Sequence, residues 1–170
     1  MSEGSADGQD SRRGPQQADT GQTGTGQPDT YDLYRRGMDL LGRGSAAAAA
    51  QLLERAAEAE PRSRSVLEGL ARAQFDTGRY SAAAGNFRRI VDASPSDDYA
   101  QFGLGLALAR DGDPAAAAEH LALAAAMRPD LRHYADALRG VRATLRARTR
   151  PQRSAQDEGP EDRERKSSGD

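Results

Sequence analysis

The sequence predicts an all-α fold, a short right-handed α-solenoid of three helix-turn-helix repeats that a seventh helix caps. Three observations predict it. Residue types recur with a period of 34 residues, as at Pro61, Pro95 and Pro129. Within each period the apolar residues follow helical spacing, and each helical stretch ends at a glycine or a proline. A period of this length with two helical stretches is typical of proteins in which helix pairs stack into a solenoid.

The period is visible in five registers of the sequence and does not depend on the prolines alone. Chance does not produce five coincident registers in one chain, so the repeat organises the fold. Besides the prolines, the recurring sets are Gly44, Gly78 and Gly112; Ala49, Ala83 and Ala117; Leu53, Phe87 and Leu121; and Ala56, Ile90 and Ala124.

Each unit contains two helices, as the second unit illustrates. Its first apolar face includes Leu67, Leu70 and Phe75, and it ends at Gly78, which can adopt the left-handed conformation that terminates a helix. The next helix ends before Pro95, because the proline ring and the missing N–H prevent continuation. The predicted helices of the three units are 30–43, 46–59, 64–77, 80–93, 98–111 and 114–127.

Helix start signals agree with this division. Short polar side chains stand where N-caps are expected, and one of them precedes a proline at the first helical position. The predicted caps are Asp29 or Thr30, Ser63, Ser96 or Asp97, Asp113 before Pro114, and Asp130.

A seventh helix is predicted at residues 131–147, with one apolar face and several arginines elsewhere. This division is expected of a terminal helix that caps a solenoid. The apolar face comprises Leu131, Tyr134, Leu138, Val141 and Leu145, and the arginines are Arg132, Arg139, Arg142 and Arg146.

The composition divides the chain into one domain and two tails. Residues 1–29 contain no Leu, Ile, Val, Phe or Tyr, and residues 148–170 combine six basic with six acidic residues. Neither segment can bury enough apolar surface to offset the entropy of ordering. We therefore predict a folded domain at 30–147 between a disordered N-terminal tail and a disordered mixed-charge C-terminal tail.

The composition also excludes several classes of protein. A formal net charge of −2 is too small to steer the whole molecule toward nucleic acid or acidic membranes. The absence of cysteine excludes disulfides, thiolate zinc sites and cysteine nucleophiles. No segment approaches the roughly 20 apolar residues of a membrane span, and no signal-peptide pattern opens the sequence. We expect a cytoplasmic protein without a membrane partner.

The pattern resembles the tetratricopeptide repeat, in which the first helix carries Leu, Gly and a Tyr-like residue and the second carries Ala, a Phe-like residue and Pro. The resemblance covers residues 30–131, with repeats at 30–63, 64–97 and 98–131 before a cap helix at 131–147. Each repeat departs from the pattern once, at Arg36, Gln74 and Gln101. The Ala- and Arg-rich composition resembles that of proteins from high-GC bacteria.

The resemblance implies that the first helix of each repeat lines a concave groove that binds a peptide or partner protein. Aromatic and Arg side chains contribute much of the binding energy at such interfaces, so a peptide with apolar anchors is the expected ligand. The residues predicted to form the groove are Tyr31, Tyr34, Met38, Glu68, Arg72, Phe75, Tyr99, Phe102, Leu106 and Arg110. The remaining family positions fall on Leu41, Gly42, Ser65, Asp76 and Ala109.

Two features of this groove leave alternatives open. Gly69 and Gly103 each cost roughly 1 kcal/mol relative to Ala inside a helix. They either leave room for a ligand backbone or permit tight helix–helix packing. Packing against neighbouring repeats or a tail is likewise the alternative to ligand contact for Tyr31, Tyr34, Tyr99 and Phe102.

Some members of the family bind the C-terminal carboxylate of chaperones through a clamp of Lys, Asn and Arg side chains. The residues at the corresponding positions cannot perform that role. The resemblance therefore implies a ligand other than a chaperone tail. The corresponding residues are Tyr34, Met38, Gly69, Tyr99 and Gly103.

Catalysis is not expected, because the sequence has no motif with the spacing of a nucleophile, a metal site or a cofactor site. His120 and His133 fall on different helices, and we interpret both as surface residues. The run from Gly103 to Gly105 resembles the start of a dinucleotide fingerprint, but Leu108 occupies the third glycine position and no strand precedes it. The predicted protein is non-catalytic and has no cofactor.

A second binding hypothesis concerns the arginines of the seventh helix. Arg132, Arg139, Arg142 and Arg146 could bind nucleic acid or an acidic partner, although we favour a solvated cap paired with the acidic stretch 157–164. Nucleic acid is therefore the less favoured partner. The protein is expected to be a monomer or a weak homodimer, because three repeats are about the minimum for a stable stack.

Overall fold

The computed structural model describes residues 29–149, so the tails predicted at 1–29 and 148–170 lie almost wholly outside the described residues. The described part of the chain folds into seven helices and contains no strand. The helices are α1 (Thr30–Gly42), α2 (Ala46–Ala59), α3 (Arg64–Asp76), α4 (Tyr80–Ala93), α5 (Asp98–Asp111), α6 (Pro114–Met127) and α7 (Arg132–Thr149). The predicted all-α solenoid of helix-turn-helix repeats is confirmed.

Local signals in the sequence account for where several helices begin and end. The Asp97 side chain accepts a hydrogen bond from the Ala100 amide at 3.0 Å, and Asp113 does the same for Ala116. Each therefore satisfies an amide that has no acceptor within its own helix. Each of the three turns inside the repeats contains a glycine with positive φ. These glycines are Gly44 at 77°, Gly78 at 77° and Gly112 at 101°.

Three of the predicted caps behave differently. Asp29 and Ser63 precede α1 and α3, but neither side chain makes a capping hydrogen bond. Helix α7 begins at Arg132, and the prediction of Asp130 as its cap is wrong. The Asp130 carboxylate instead accepts hydrogen bonds from Nε and Nη2 of Arg128, at 3.0 and 2.8 Å. The carboxylate of Asp130 therefore forms a bidentate bond with Arg128 instead of a capping bond with the first amides of α7.

The helices pack as a one-dimensional stack. Each described helix contacts the next one along the chain, and α1, α3, α5 and α7 also contact one another in sequence. No such contact joins α2 to α4 or α4 to α6. The odd-numbered helices are therefore closer together than the even-numbered ones, and the face that they form is the inner face of the stack.

Close contacts between the two helices of a repeat explain part of the sequence register. A Cβ atom on Gly37 would lie 2.7 Å from Cγ of Leu53, and one on Gly105 would lie 2.6 Å from Cγ of Leu121. Leu53 and Leu121 are fully buried. The glycines let the first helix of each repeat approach the second closely enough for these leucines to fill the space between them.

The two glutamines that depart from the apolar pattern are buried and hydrogen-bonded. Gln74 accepts a hydrogen bond from Nδ2 of Asn86 at 2.8 Å. Gln101 donates to the Pro95 carbonyl at 3.0 Å, and its Oε1 lies 2.8 Å from Nδ1 of His120. Among the described residues, no buried side-chain nitrogen or oxygen lacks a partner. Polar partners on neighbouring elements therefore replace apolar contacts at these positions.

Helix α7 continues the stack as the first helix of a further unit would. Tyr134 is almost completely buried, and Leu138 and Val141 are buried with it. Leu145 is half-buried against the same core. Within residues 29–149, no helix is long and apolar enough to cross a membrane.

Candidate functional site

The inner face of the stack carries the residues that the sequence predicts for the groove. They come from α1, α3 and α5, and they differ widely in exposure. Tyr31, Arg72 and Arg110 are exposed, whereas the other seven are partly buried. The partly buried set comprises Tyr34, Met38, Glu68, Phe75, Tyr99, Phe102 and Leu106.

A recess of about 170 Å³ lies between α3 and α5 and brings five of the predicted residues together. Apolar side chains form most of its wall, and a guanidinium and a carboxylate stand at its mouth. Its size suits one large side chain and not a whole ligand. The recess is lined by Arg72, Phe75, Asp76, Phe87, Tyr99, Phe102, Gly103 and Leu106.

Both positive and negative side chains surround this recess. Arg72 and Asp76 are exposed on the same helix face, and Glu68 pairs with Arg64 at 3.0 Å. Burial raises the pKa of the Tyr99 phenol above its usual value, although the nearby Arg72 opposes that shift. Tyr99 therefore stays protonated at physiological pH and can donate a hydrogen bond to a ligand carbonyl.

A second recess, of about 260 Å³, lies at the N-terminal end of the inner face. Tyr31, with 66% of its surface exposed, and the half-buried Tyr34 contribute aromatic walls. Its lining residues are Thr30, Tyr31, Tyr34, Glu60, Ser63, Ser65 and Val66. The two recesses together give the inner face aromatic surface at two separate places.

Packing inside the protein accounts for part of the aromatic surface. The rings of Phe102 and Tyr134 are stacked, with centroids 4.3 Å apart and an interplanar angle of 18°. His133 meets Phe102 edge-on at 5.3 Å. Tyr99 lies edge-on to Phe87 at 6.4 Å. Phe102 and Tyr99 therefore have structural roles in addition to the surface that they leave exposed.

The two glycines that left alternatives open are explained by helix packing. A Cβ atom on Gly103 would lie 2.5 Å from Cζ of Phe87, and one on Gly69 would lie 2.8 Å from Sδ of Met38. Both spaces are filled by side chains of this protein. The hypothesis that these glycines leave room for a ligand backbone is therefore wrong.

His133 is the inner-face residue that sequence reasoning missed. It is exposed and lies beside Phe102 at the edge of the inner face. A signal was available, since one further step of 34 residues from Tyr99 reaches His133. The prediction of residues 131–147 as a cap helix ends the repeat before this position.

The other histidine also differs from its interpretation as a surface residue. His120 is half-buried on α6 and shares a hydrogen bond with Gln101. Because the Gln101 amide already donates to the Pro95 carbonyl, its oxygen is the acceptor, and Nδ1 of His120 carries the proton. Burial, and next the positive charge of Arg88, lower the pKa of His120. Within residues 29–149, no three His, Cys, Asp or Glu side chains could hold a metal ion together.

The arginines of α7 lie along one side of that helix. Spacings of 7, 3 and 4 residues bring Arg132, Arg139, Arg142 and Arg146 to the same side, and all four are exposed. Arg139 pairs with Asp136. The acidic stretch 157–164 that was predicted to pair with this surface lies outside the described residues.

Comparison with known proteins identifies the family. Two matches of the Tetratricopeptide repeat family model cover residues 34–98 and 70–131, more than half of the chain. The chain belongs to the tetratricopeptide repeat family. Tetratricopeptide repeats generally mediate protein–protein interactions and are generally not enzymes. No curated protein sequence matches this chain at a significant level.

Solved tetratricopeptide repeat structures share the fold. The Sgt2 TPR domain from Aspergillus fumigatus is 20% identical, with a TM-score of 0.66 over 81% of this chain and 95% of that one. The first TPR of Spaghetti (RPAP3), bound to the HSP90 peptide SRMEEVD, is 17% identical, with a TM-score of 0.64 over 68% of this chain and 92% of that one.

A third similar structure is longer than the region that this chain matches. MamA from Desulfovibrio magneticus RS-1, from residue 41 to its end, is 21% identical, with a TM-score of 0.66 over 69% of this chain. This chain spans 66% of the length of the chain in that structure, slightly under two thirds. At these levels of identity the three similarities show a common fold and do not identify a ligand.

Proposed function

We propose that this tetratricopeptide repeat protein binds a peptide segment of a partner protein on its inner face and performs no chemistry on it. The single observation that carries the proposal is the recess between α3 and α5, because six residues at the family's ligand positions line one depression. Those residues are Arg72, Phe75, Asp76, Tyr99, Phe102 and Leu106.

The chemistry of the recess suggests what kind of peptide fits. Phe75 and Leu106 offer apolar contact to one large side chain of the ligand. Tyr99 can donate a hydrogen bond to a peptide carbonyl, and Arg72 can pair with an acidic residue next to the anchor. Asp76 stands beside Arg72, so a basic residue at a neighbouring position of the peptide is also accommodated. An apolar anchor between charged residues is the expected motif.

The placement of the two recesses on different helices supports an extended or helical ligand and not a single side chain. The first recess lies on α3 and α5, whereas the second lies on α1 and the start of α3. A peptide that fills both would cross all three repeats. The HSP90 peptide of the RPAP3 structure provides a precedent for peptide binding by a protein of this fold.

The experiment that tests the proposal compares matched variants in affinity capture from a cell lysate. Tyr31→Ala and Arg72→Glu alter exposed side chains of the inner face, whereas Arg55→Glu alters an exposed side chain of α2 on the other face. A partner that wild type and Arg55→Glu retain, and that both inner-face variants lose, supports the proposal. Phe102→Ala is unsuitable because Phe102 also packs on Tyr134.

Equal retention of every captured protein by all three variants would contradict the groove as the binding surface. Binding of the captured protein as a purified component, with a synthetic peptide from it competing, then completes the test. Circular dichroism of each variant checks that the fold is unchanged.

A second candidate function rests on the arginine side of α7. Four exposed guanidiniums on one side of a helix could contact phosphates or an acidic protein, and the affinity would then fall steeply with salt. Arg142→Ala with Arg146→Ala should abolish the retention of nucleic acid if this surface binds it. Retention of nucleic acid that these substitutions do not change would exclude the surface.

A further inference from the structure

A cavity of about 500 Å³ lies away from the inner-face recesses, at the junction of the first and second repeats. It is formed by the turn between α2 and α3, the first residues of α3 and the last turn of α4. It shares no lining residue with the recess between α3 and α5 or with the one beside Tyr31. Its volume lies within the range of small-molecule sites in proteins.

The cavity combines an apolar floor with a basic rim. Leu67 and Ile90 are buried beneath it, each with less than a twentieth of its surface exposed. Arg62, Arg64 and Arg89 line it from three different elements of structure. Such an arrangement fits a molecule with an apolar body and a negatively charged end.

The three guanidiniums differ in how well the protein already satisfies them. Arg64 is paired with Asp97 at 2.5 Å and with Glu68 at 3.0 Å. Among the described residues, Arg89 donates only to neutral oxygens, the carbonyl of Pro61 and Oδ1 of Asn86 at 3.2 Å. Arg62 forms no ion pair within the described part of the chain.

Within residues 29–149, Arg62 and Arg89 are therefore the two cations of this cavity that no carboxylate neutralises. Asp92 also lines the cavity and would repel a second negative charge. One carboxylate per ligand is consequently expected.

The repeat itself shows that the fold does not require these arginines. One period of 34 residues further along the chain, the positions of Arg62, Arg64 and Arg89 are occupied by Ser96, Asp98 and Leu123. The third repeat adopts the same pair of helices with those residues. The basic rim is thus specific to one junction of the stack.

We propose that this cavity binds an aliphatic monocarboxylate, whose carboxylate lies between Arg62 and Arg89 and whose hydrocarbon chain covers Leu67 and Ile90. The guanidiniums supply charge-assisted hydrogen bonds. The hydrocarbon chain of the ligand leaves water when it enters the cavity, and the removal of that apolar surface from water favours binding. The site is independent of peptide binding on the inner face, so either proposal can fail without the other.

The sequence provides an unambiguous reporter for the test. Ile90 is the only isoleucine of the chain, so its methyl signals in a ¹³C NMR spectrum report on the cavity without an assignment campaign. The full-length protein is titrated with octanoate, with acetate, which lacks the hydrocarbon chain, and with octylamine, which carries the opposite charge. Octanoate should shift the Ile90 methyls saturably, whereas acetate and octylamine should not.

Substitutions then separate the site from non-specific binding. Arg62→Gln removes a guanidinium that makes no ion pair in the described part of the chain, so it should leave the fold intact. It should lower the affinity for octanoate about tenfold. Arg89→Gln should lower the affinity for octanoate by a similar factor, and the thermal stability of this variant is measured in parallel. Arg55→Gln is the matched control, because Arg55 occupies the place of Arg89 one repeat earlier and lies outside the cavity.

Several results would overturn the proposal. It fails if octanoate leaves the Ile90 methyls unchanged, or if acetate or octylamine shifts them equally. It also fails if Arg62→Gln binds octanoate with the affinity of the wild type or of Arg55→Gln.

Discussion

The hydroxyl of Tyr134 donates a hydrogen bond to Oδ2 of Asp98 across 3.0 Å, and this bond joins α7 to the first turn of α5. The two residues are 36 positions apart in the sequence. Burial, and next the hydrogen bond to Asp98, raise the pKa of the Tyr134 phenol. The phenol therefore remains a donor throughout the physiological pH range.

Tyr134→Phe should lower the free energy of unfolding by about 1 kcal/mol, because one hydrogen bond to a half-buried carboxylate is lost while the ring remains. Urea denaturation followed by circular dichroism measures this change. Tyr80→Phe is the control, since no hydrogen bond of the Tyr80 hydroxyl is present in the described structure, and it should alter stability by a few tenths of a kcal/mol at most. Equal effects of the two substitutions would contradict the role of the Tyr134 hydroxyl.

Gly103→Ala should destabilise the protein by about 1–3 kcal/mol, because the new methyl group would lie 2.5 Å from the ring of Phe87. Gly140→Ala on α7 should have the opposite effect, since nothing lies within 4 Å of that position and alanine favours a helix by up to about 1 kcal/mol. Thermal unfolding of both variants measures the difference. A stable Gly103→Ala protein would show that Phe87 can move aside and that the packing is looser than the distance indicates.

Stability should fall as the pH drops below about 6.5, in part through His120. Its pKa in the folded protein is lowered by burial and by Arg88, so the unfolded chain binds the additional proton more readily. Unfolding therefore becomes more favourable at acidic pH. The stability that neutral His120 contributes is fully present only above the pKa of histidine in the unfolded chain. The free energy of unfolding of wild type and His120→Gln is compared at pH 7.5 and pH 5. The loss on acidification should be larger for the wild type, and equal losses would exclude His120 as a source.

Asp97 performs two tasks that substitution can separate. Its carboxylate caps α5 through the Ala100 amide and pairs with Arg64, the first residue of α3. Burial alone would raise the pKa of Asp97, but the hydrogen bonds from Arg64 and Ala100 outweigh it and hold the pKa below its usual value. Asp97→Asn keeps the cap and loses the charge, whereas Asp97→Ala loses both.

We expect Asp97→Ala to cost about 1 kcal/mol more than Asp97→Asn. Because the pKa of Asp97 is lowered in the folded protein, its ionised carboxylate contributes stability that is lost as the pH falls through that folded-state pKa. Neither variant has this carboxylate, so both should lose less stability on acidification than the wild type. Chemical denaturation at pH 7 and pH 3.5 measures both effects. Identical stabilities of the two variants would show that the capping bond contributes nothing.

The periodic features of this protein could be predicted from the sequence because they depend on local chemistry that every repeat shares. Helix ends at Gly78 and Gly112 follow from the φ values that only glycine adopts easily, and the cap of α5 is recognisable from its position as Ser96 or Asp97, of which Asp97 makes the capping bond. These signals act within a few residues. The helix ends and caps can therefore be predicted without knowledge of the tertiary contacts.

Features that depend on partners far along the chain could not be predicted in the same way. Gln101 appears as a defect in the apolar pattern until its bonds to Pro95 and His120 are known. Phe102 occupies a ligand position of the family, yet the register alone does not reveal that Tyr134 stacks on it. The assignment of Gly69 and Gly103 likewise required the positions of Met38 and Phe87. Sequence periodicity specifies which face a residue occupies, and tertiary packing decides how much of it remains accessible.

The stacking of each helix only on helices one or two places away determines how the protein folds and opens. Because no contact joins α1 to α7 in the described structure, no long loop must close before the core forms, and folding is expected to be fast for a domain of this size. The terminal helices also have fewer neighbours than α3 or α5, so local opening begins at the ends. Amide hydrogens of α1 should therefore exchange with solvent sooner than those of α4 and α5, which form the last region to lose protection.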